Sequence, residues 1–459
     1  MERKHNTMNK EVKSFCTDKQ TTEDLNLLGK YKTDSVFSLF NRTKTKGGEQ
    51  LLEQYFQQPL TQAAAIEERQ WNIKSLVGKA IVFPVGDQEF GALEQYITSF
   101  APVSKARLFT EVFKRKSKAI AGMREEQEHV NALLTDGLKA LLQLRDWFKG
   151  TLAGIDSAYL QNLTGRYLPL LENKLLELPE KGIASGNLSV IQQSKYESFL
   201  RGSNHEAFNS LLRDCYELDL FLGIAAMIEE KNYSFPVIHH GQNALLKLKG
   251  AYHPGLKKAI GNDLQLDARQ NLLFLTGANM AGKSTFMKTI GICFYLAHMG
   301  FPVPASEMET SVYDGFYSSI NLPDNISKGY SHFYAEVLRV KDVAVEVAAG
   351  KKLLIIFDEL FKGTNVKDAF DATSGVAKAM LDYKQSLFVL STHIVEVGAL
   401  LQQEAVGIQY KYMPSLLEAH TTRYTYTLQE GISDDRHGMM IIRQEGIFDL
   451  FPSKKLRNS

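Results

Sequence analysis

Leu272-Leu273-Phe274-Leu275-Thr276 leads into Gly277-Ala278-Asn279-Met280-Ala281-Gly282-Lys283-Ser284 and on into Thr285-Phe286-Met287-Lys288-Thr289-Ile290. A short apolar strand, a glycine-bounded loop and a helical segment follow in the order that a phosphate-cradling loop requires. Gly277 and Gly282 let backbone N–H groups turn toward anionic oxygens at a helix N-terminus, where the dipole favours negative charge. Lys283 is placed to reach β- and γ-phosphates and the Ser284 hydroxyl to bind Mg²⁺, so residues 277–285, Thr285 included, are expected to hold a nucleoside triphosphate such as ATP. The competing explanation, a chance glycine-rich turn, does not account for the flanking strand and helix.

Downstream, Leu353-Leu354-Ile355-Ile356-Phe357 is a second apolar run, and it ends in Asp358-Glu359. Asp358 at a strand end suits Mg²⁺, and Glu359 suits a general base that polarises an attacking water. Two solvated acids closing a strand would be the plainer reading, and the upstream loop argues for the catalytic one. A third run, Ser386 to Ser391, is followed by Thr392-His393; a lone histidine is more often structural, but His393 resembles the switch histidine that ABC-type ATPases carry at this place to sense a γ-phosphate. With helical stretches predicted at 284–299, 333–348 and 367–383, strands and helices alternate, as in an α/β domain around a mainly parallel sheet.

Upstream of Pro236 the texture is different. Apolar residues recur at helical spacing, with helices expected over 61–78, 86–99, 106–150, 156–178 and 204–231 and a break at Gly47-Gly48. The expected fold is therefore α plus α/β. A polar N-terminal segment (1–34), its first 30 or so residues frayed, precedes a mostly helical domain (35–235) and a nucleotide-binding domain (236–459).

At this point the chain resembles the MutS family of DNA mismatch-repair ATPases. Thr276 to Met287 is similar to the pattern TGPNMGGKSTYxR, with Asn279 and Met280 setting it apart from transporters, kinases and GTPases. Asp358-Glu359-Leu360-Phe361-Lys362-Gly363-Thr364-Asn365 resembles DEIGRGTS, Ser391 to Glu396 resembles ATHYxE, and Ser331-His332-Phe333-Tyr334-Ala335-Glu336-Val337 resembles the signature STFxxEM. Outside these motifs, Ser35 to Leu60 is similar to the start of the family's core-lever domain, Tyr216 to Asp219 and His253-Pro254 to its end and the beginning of the ATPase, and Gln429 to Gly438 to a C-terminal segment.

The resemblance implies an ABC-type P-loop ATPase that hydrolyses ATP to ADP and phosphate with Mg²⁺. It also implies a homodimer with a composite site, in which Ser331 and Asn365 of one subunit face the nucleotide held by the other. Ser331 also reads as a helix N-cap before Phe333, and both roles can hold together. ATP would close the dimer and hydrolysis release it, changing the grip of the helical levers on DNA that is mismatched, branched or distorted. Other repair proteins are expected as further partners.

Several positions depart from the family pattern. No mismatch-reading domain with its Phe-x-Glu wedge, which needs ~100 residues, is expected before Ser35. The helical half suggests a DNA clamp that is truncated or missing. Ala259 stands where an aromatic residue usually packs on the base, leaving Ile260 and Tyr426 as candidates for that contact. His332 replaces the usual threonine and Lys362 the usual arginine.

Composition sets outer bounds. Of 459 residues, 44% are hydrophobic and 23% charged, with a formal net charge of +1, so any DNA surface must be a local patch. The best cluster is Lys105, Arg107, Lys114, Arg115, Lys116, Lys118 and Arg124, interleaved with Phe109 and Phe113 and diluted by Glu111, Glu125, Glu126 and Glu128. The C-terminal Lys454, Lys455 and Arg457 form a lesser one. Cys16, Cys215 and Cys293 are far apart and odd in number, which favours a reducing, cytoplasmic setting over disulfides or zinc. No run approaches the roughly 20 apolar residues of a membrane span. Two other readings are weighed. In one, a nucleotide-driven switch has helical arms that hold a protein rather than DNA. In the other, a P-loop kinase transfers phosphate to a small molecule, which Asp358-Glu359 and His393 argue against.

Overall fold

The structure is a computed structural model that describes residues 14–29, 34–177, 188–320, 332–418 and 421–433. The chain divides into two compact units: residues 1–38, 58–70 and 231–459 form one, and 39–57 with 71–230 form the other.

The second unit is helical. Its longest elements, Glu125–Gly150 and His205–Lys231, carry apolar residues at helical spacing, and Leu134, Leu138, Leu141 and Leu144 are fully buried. Each such side chain contributes about 1.5–3 kcal/mol of hydrophobic stabilisation. Gly137 lets the helix Asp87–Ser99 approach, since an added Cβ would lie 3.2 Å from Leu93 Cα. The expected continuous helix over 106–150 is two helices, Lys105–Ile120 and Glu125–Gly150, parted at Gly122 with φ +101°. The helix Val190–Arg201, capped reciprocally by Ser189 and Gln192, was not foreseen.

Gly47 and Gly48 do not break a helix; they lie in the first turn of Lys46–Gln57. They are small because Tyr216 and Asp219 press on them: an added Cβ would stand 2.3 Å from the Tyr216 ring and 2.9 Å from Asp219 Oδ2. The buried Asp219 carboxylate accepts hydrogen bonds from Lys44 N, Thr45 N and Thr45 Oγ1, placing negative charge at that helix N-terminus.

The first unit holds twelve described strands: β1 (Val237–His239), β2 (Leu245–Ala251), β3 (Asn262–Asp267), β4 (Leu272–Gly277), β5 (Glu307–Ser311), β6 (Gly315–Ser319), β7 (Leu353–Phe357), β8 (Leu387–Ser391), β9 (Ile408–Met413), β10 (Ser415–Glu418), β11 (Thr421–Tyr424) and β12 (Gln429–Glu430). A six-stranded sheet has the order β12-β9-β4-β8-β7-β6, in which β12 is antiparallel to β9 and the other neighbours are parallel. β7 and β8 are buried at every position, as expected of central parallel strands covered on both faces. A mixed four-stranded sheet has the order β1-β5-β2-β3. The helix Lys283–His298 packs on β2 of this sheet and on β4 and β6 of the other, which explains why it is apolar nearly all round.

Residues 14–29 are not frayed. Cys16 pairs in parallel with Gly315 at the edge of β6, and the short helix Lys19–Asp24 follows. Asp24 accepts from Ser318 Oγ and Ile320 N, and Asp18 pairs with Arg339. These polar residues find partners within the fold.

Candidate functional site

The loop after β4 takes its shape from two glycines. Gly277 has φ +136° and an added Cβ would meet Met413 O at 2.7 Å; Gly282 has φ +104° and caps the helix Lys283–His298, with Tyr426 3.1 Å from its missing Cβ. Between them Met280 is left-handed at φ +70° and 77% exposed, whereas Ala281 is buried, its N–H donating to Ala278 O at 3.3 Å. The loop therefore projects Asn279 and Met280 outward and ends on the free N–H groups of a helix start.

Lys283 is buried, and its ammonium donates to Gly277 O at 2.8 Å and Ala278 O at 3.1 Å. Burial lowers its pKa, and the nearby Asp358 and Glu359 partly restore it. Ser284 Oγ donates to Asp358 Oδ2 at 2.5 Å. Burial raises the Asp358 carboxyl, and the Ser284 hydroxyl holds it partly down. The other oxygen, Oδ1, is buried without a hydrogen-bond partner. An orphaned carboxylate oxygen beside a serine hydroxyl is a hard-oxygen donor pair that fits Mg²⁺, an ion usually held by one or two protein oxygens together with substrate phosphate. Among the described residues no group of three or more His, Cys, Asp or Glu could hold a metal ion.

Glu359 follows in a left-handed turn at φ +49°, with Lys362 Nζ 3.6 Å from its carboxylate. It lines a cavity of about 430 Å³ together with Asn279, Met280, Gly282, Lys283, Ser284, Thr285, Ile260 and Tyr426. One concavity thus collects the loop, the helix start, an acid and the two residues expected at the base.

Other predicted residues lie elsewhere. His393 stands exposed beyond the end of β8 and is not among the lining residues. Asn365 is the exposed N-cap of the helix Val366–Met380, accepting from Asp368 N at 3.0 Å. Ser331 lies outside the described residues.

Asn262 was missed. It ties down the segment carrying Tyr426, donating to Tyr426 O at 2.9 Å and accepting from Leu428 N at 2.6 Å. A lone asparagine on a strand carries no sequence signal for this. Met413, whose backbone closes on Gly277, was missed for the same reason, whereas His253, noted only as part of a His-Pro pair, lines the cavity.

In the helical unit the basic cluster is reduced. Arg115 is not a phosphate contact: it is buried and ion-paired to the fully buried Glu197, which also takes Arg201 at 3.2 Å. The Lys116 ammonium donates to Leu188 O, and burial lowers its pKa, with Arg115 adding to the effect. Arg107 pairs with Glu111 at 3.3 Å and Lys118 with Glu126 at 3.5 Å. The helix points its i, i+4 and i+7 positions Leu108, Val112 and Arg115 inward, so a run of cations in sequence is not a run on one face. Lys105, Arg107, Lys114 and Arg124 remain exposed.

No described helix is long and apolar enough to cross a membrane. The family model for MutS domain III matches residues 20–327, and that for MutS domain V matches residues 273–451. Among curated relatives, the DNA mismatch repair protein MutS of Persephonella marina is 26% identical over 289 residues, 61% of this chain and 32% of that protein. Those of Shouchella clausii and a Geobacillus species are also 26% identical, covering 52% and 64% of this chain and 28% and 33% of theirs. The chain spans about a third of the length of the curated relatives it matches.

Proposed function

The chain belongs to the MutS family, and from that premise we propose that it is a Mg²⁺-dependent P-loop ATPase, dimeric and DNA-binding, that couples ATP binding and hydrolysis to clamping and release. The observation that carries the reading is the convergence of Lys283, Ser284, Asp358 and Glu359 around one loop at a helix N-terminus.

In this reading the Lys283 ammonium exchanges the Gly277 and Ala278 carbonyls for phosphate oxygens, while N–H groups of the loop and first helical turn bind the rest of the anion. Ser284 and Asp358 would hold Mg²⁺, which when bound supplies positive charge to the phosphate oxygens. Glu359 orients and deprotonates the attacking water. Ile260 and Tyr426 contact the base, with Tyr426 held in place by Asn262. In a dimer, Asn365 and Ser331 would complete the neighbouring site, while His393 would sense the γ-phosphate of its own. The exposed cations Lys105, Lys114 and Arg124 would supply the DNA contact, each neutralised phosphate adding roughly 0.9 to the salt slope. The free, buried thiols of Cys215 and Cys293 suit a reducing cytoplasm.

The test has two arms. A fluorescent ATP analogue should bind the chain and fail to bind Lys283→Ala. Gel shifts on homoduplex, mismatched, junction and single-stranded DNA, with and without ATP across a salt series, should show retention that ATP alters. No nucleotide binding would overturn the first half of the reading, and no retention at low salt would overturn the second.

A further inference from the structure

The turn that leaves β7 holds two non-glycine residues in the left-handed region, Glu359 at φ +49° and Phe361 at φ +63°. For residues with a Cβ this conformation is strained, and it persists only where the surroundings impose it. Phe361 is the point at which they do. Its ring is 4% exposed and stands edge-on to Phe333, with centroids 6.0 Å apart and planes at 63°. Gly363 lets the same turn close on the helix His332–Ala348, because an added Cβ there would be 2.8 Å from Phe333 N. On the other side Leu360 O accepts from Thr373 Oγ1 at 3.5 Å, on the helix Val366–Met380. At its root, Asp358 N donates to Ser319 O at 2.9 Å.

The turn is thus clamped between two helices and anchored to β6, and it presents Glu359 to the cavity. We propose that Phe361, seated on Phe333, is a positioning residue that holds the Glu359 carboxylate at the reacting water; this rests on the reading of Glu359 as the base. Without the ring pair the turn relaxes toward the right-handed region and turns the carboxylate away from the cavity. The nucleotide-binding residues 277–285 contribute no side chain to the Phe333–Phe361 ring pair, so nucleotide affinity should change little.

The test compares the full chain with Phe361→Leu, Phe333→Leu and the double variant. ATP turnover, binding of a fluorescent ATP analogue and thermal melting are measured for each. Each single variant should lose roughly tenfold to a hundredfold in kcat, the scale on which misplacing a catalytic group by about 1 Å acts. The Kd for the analogue should stay within about threefold. The double variant should be no slower than the worse single one, because both remove one contact.

Folded Phe361→Leu turning over at the parent rate, losing binding and turnover together, or combining additively with Phe333→Leu would overturn the proposal. Should Phe361→Leu not fold, Phe333→Leu, which alters the half-buried partner ring, decides on the same criteria. An unaltered chain that neither binds nor turns over ATP overturns the reading of the cavity and this proposal with it. A parent that turns over ATP beside equally active variants overturns only the proposal.

Discussion

Ser284 Oγ donates to Asp358 Oδ2 at 2.5 Å, joining the first turn of the helix Lys283–His298 to the end of β7. The two residues are 74 positions apart, and the parallel order β4-β8-β7 brings both to the C-terminal ends of the strands. A serine hydroxyl and a buried carboxylate with one free oxygen are what a hard cation needs, and they come from the two motifs read separately in the sequence.

Asp358→Asn should therefore leave ATP binding largely intact in the absence of Mg²⁺ and remove the gain that Mg²⁺ confers. The expected loss in kcat is about a hundredfold or more, from the charge stabilisation a metal supplies. Nucleotide titrations with and without Mg²⁺ check this, and an unchanged Mg²⁺ response would displace Asp358 from its role.

Glu359→Gln keeps the shape of the side chain and removes its basicity. Binding should persist while turnover falls by roughly 10²–10⁴, the usual contribution of general-base catalysis. Single-turnover measurement of phosphate release separates this from slow product departure; a rate equal to the parent's would assign the base elsewhere.

His298 predicts acid sensitivity. It is buried, its Nδ1 faces Phe294 O at 3.0 Å, and Tyr313 N donates to its Nε2 at 3.0 Å, so the ring is neutral with its proton on Nδ1. Burial lowers its pKa to about 4 from the usual 6.5. Between those values the unfolded chain takes up a proton that the folded ring refuses. Stability present above pH 6.5 is therefore lost as pH falls toward 4, by roughly 3 kcal/mol in all. Urea midpoints at pH 7 and pH 5 should differ for the parent and differ less for His298→Gln, which starts lower.

Arg115→Met should act on folding, not on DNA. It leaves Glu197 buried with only Arg201 as counter-charge, and the expected cost is about 3 kcal/mol, the low end for breaking a buried pair. Lys105→Glu with Lys114→Glu should leave the melting temperature unchanged and flatten the salt dependence of DNA retention. Equal DNA effects from both variants would contradict the burial of Arg115.

The motifs of the proposed site are legible in sequence because they are local. A glycine-bounded loop after an apolar run, and an acid pair after another, have meaning within eight residues, and one cavity is lined by Asn279, Met280, Gly282 to Thr285 and Glu359. Tyr426 and Ile260 were also named, yet nothing in the sequence links them to Asn262, whose amide bridges Tyr426 O and Leu428 N across more than 160 positions. One member of the basic cluster, Arg115, was misplaced for the opposite reason: charge counted along a chain ignores which face a helix buries, and Arg115 faces inward.

By itself the sequence determined the order of strand, loop and helix around residues 272–290, the helical character of the first half and the residue types available for chemistry, because backbone propensity and periodicity act over a few residues. The tertiary structure decided which of those residues meet. Ser284 touches Asp358, Gly47 yields to Tyr216, Asp24 satisfies the end of β6, and the left-handed Phe361 sets its ring against Phe333. Close packing and the satisfaction of buried polar groups are conditions on the whole folded chain, and no local stretch carries them.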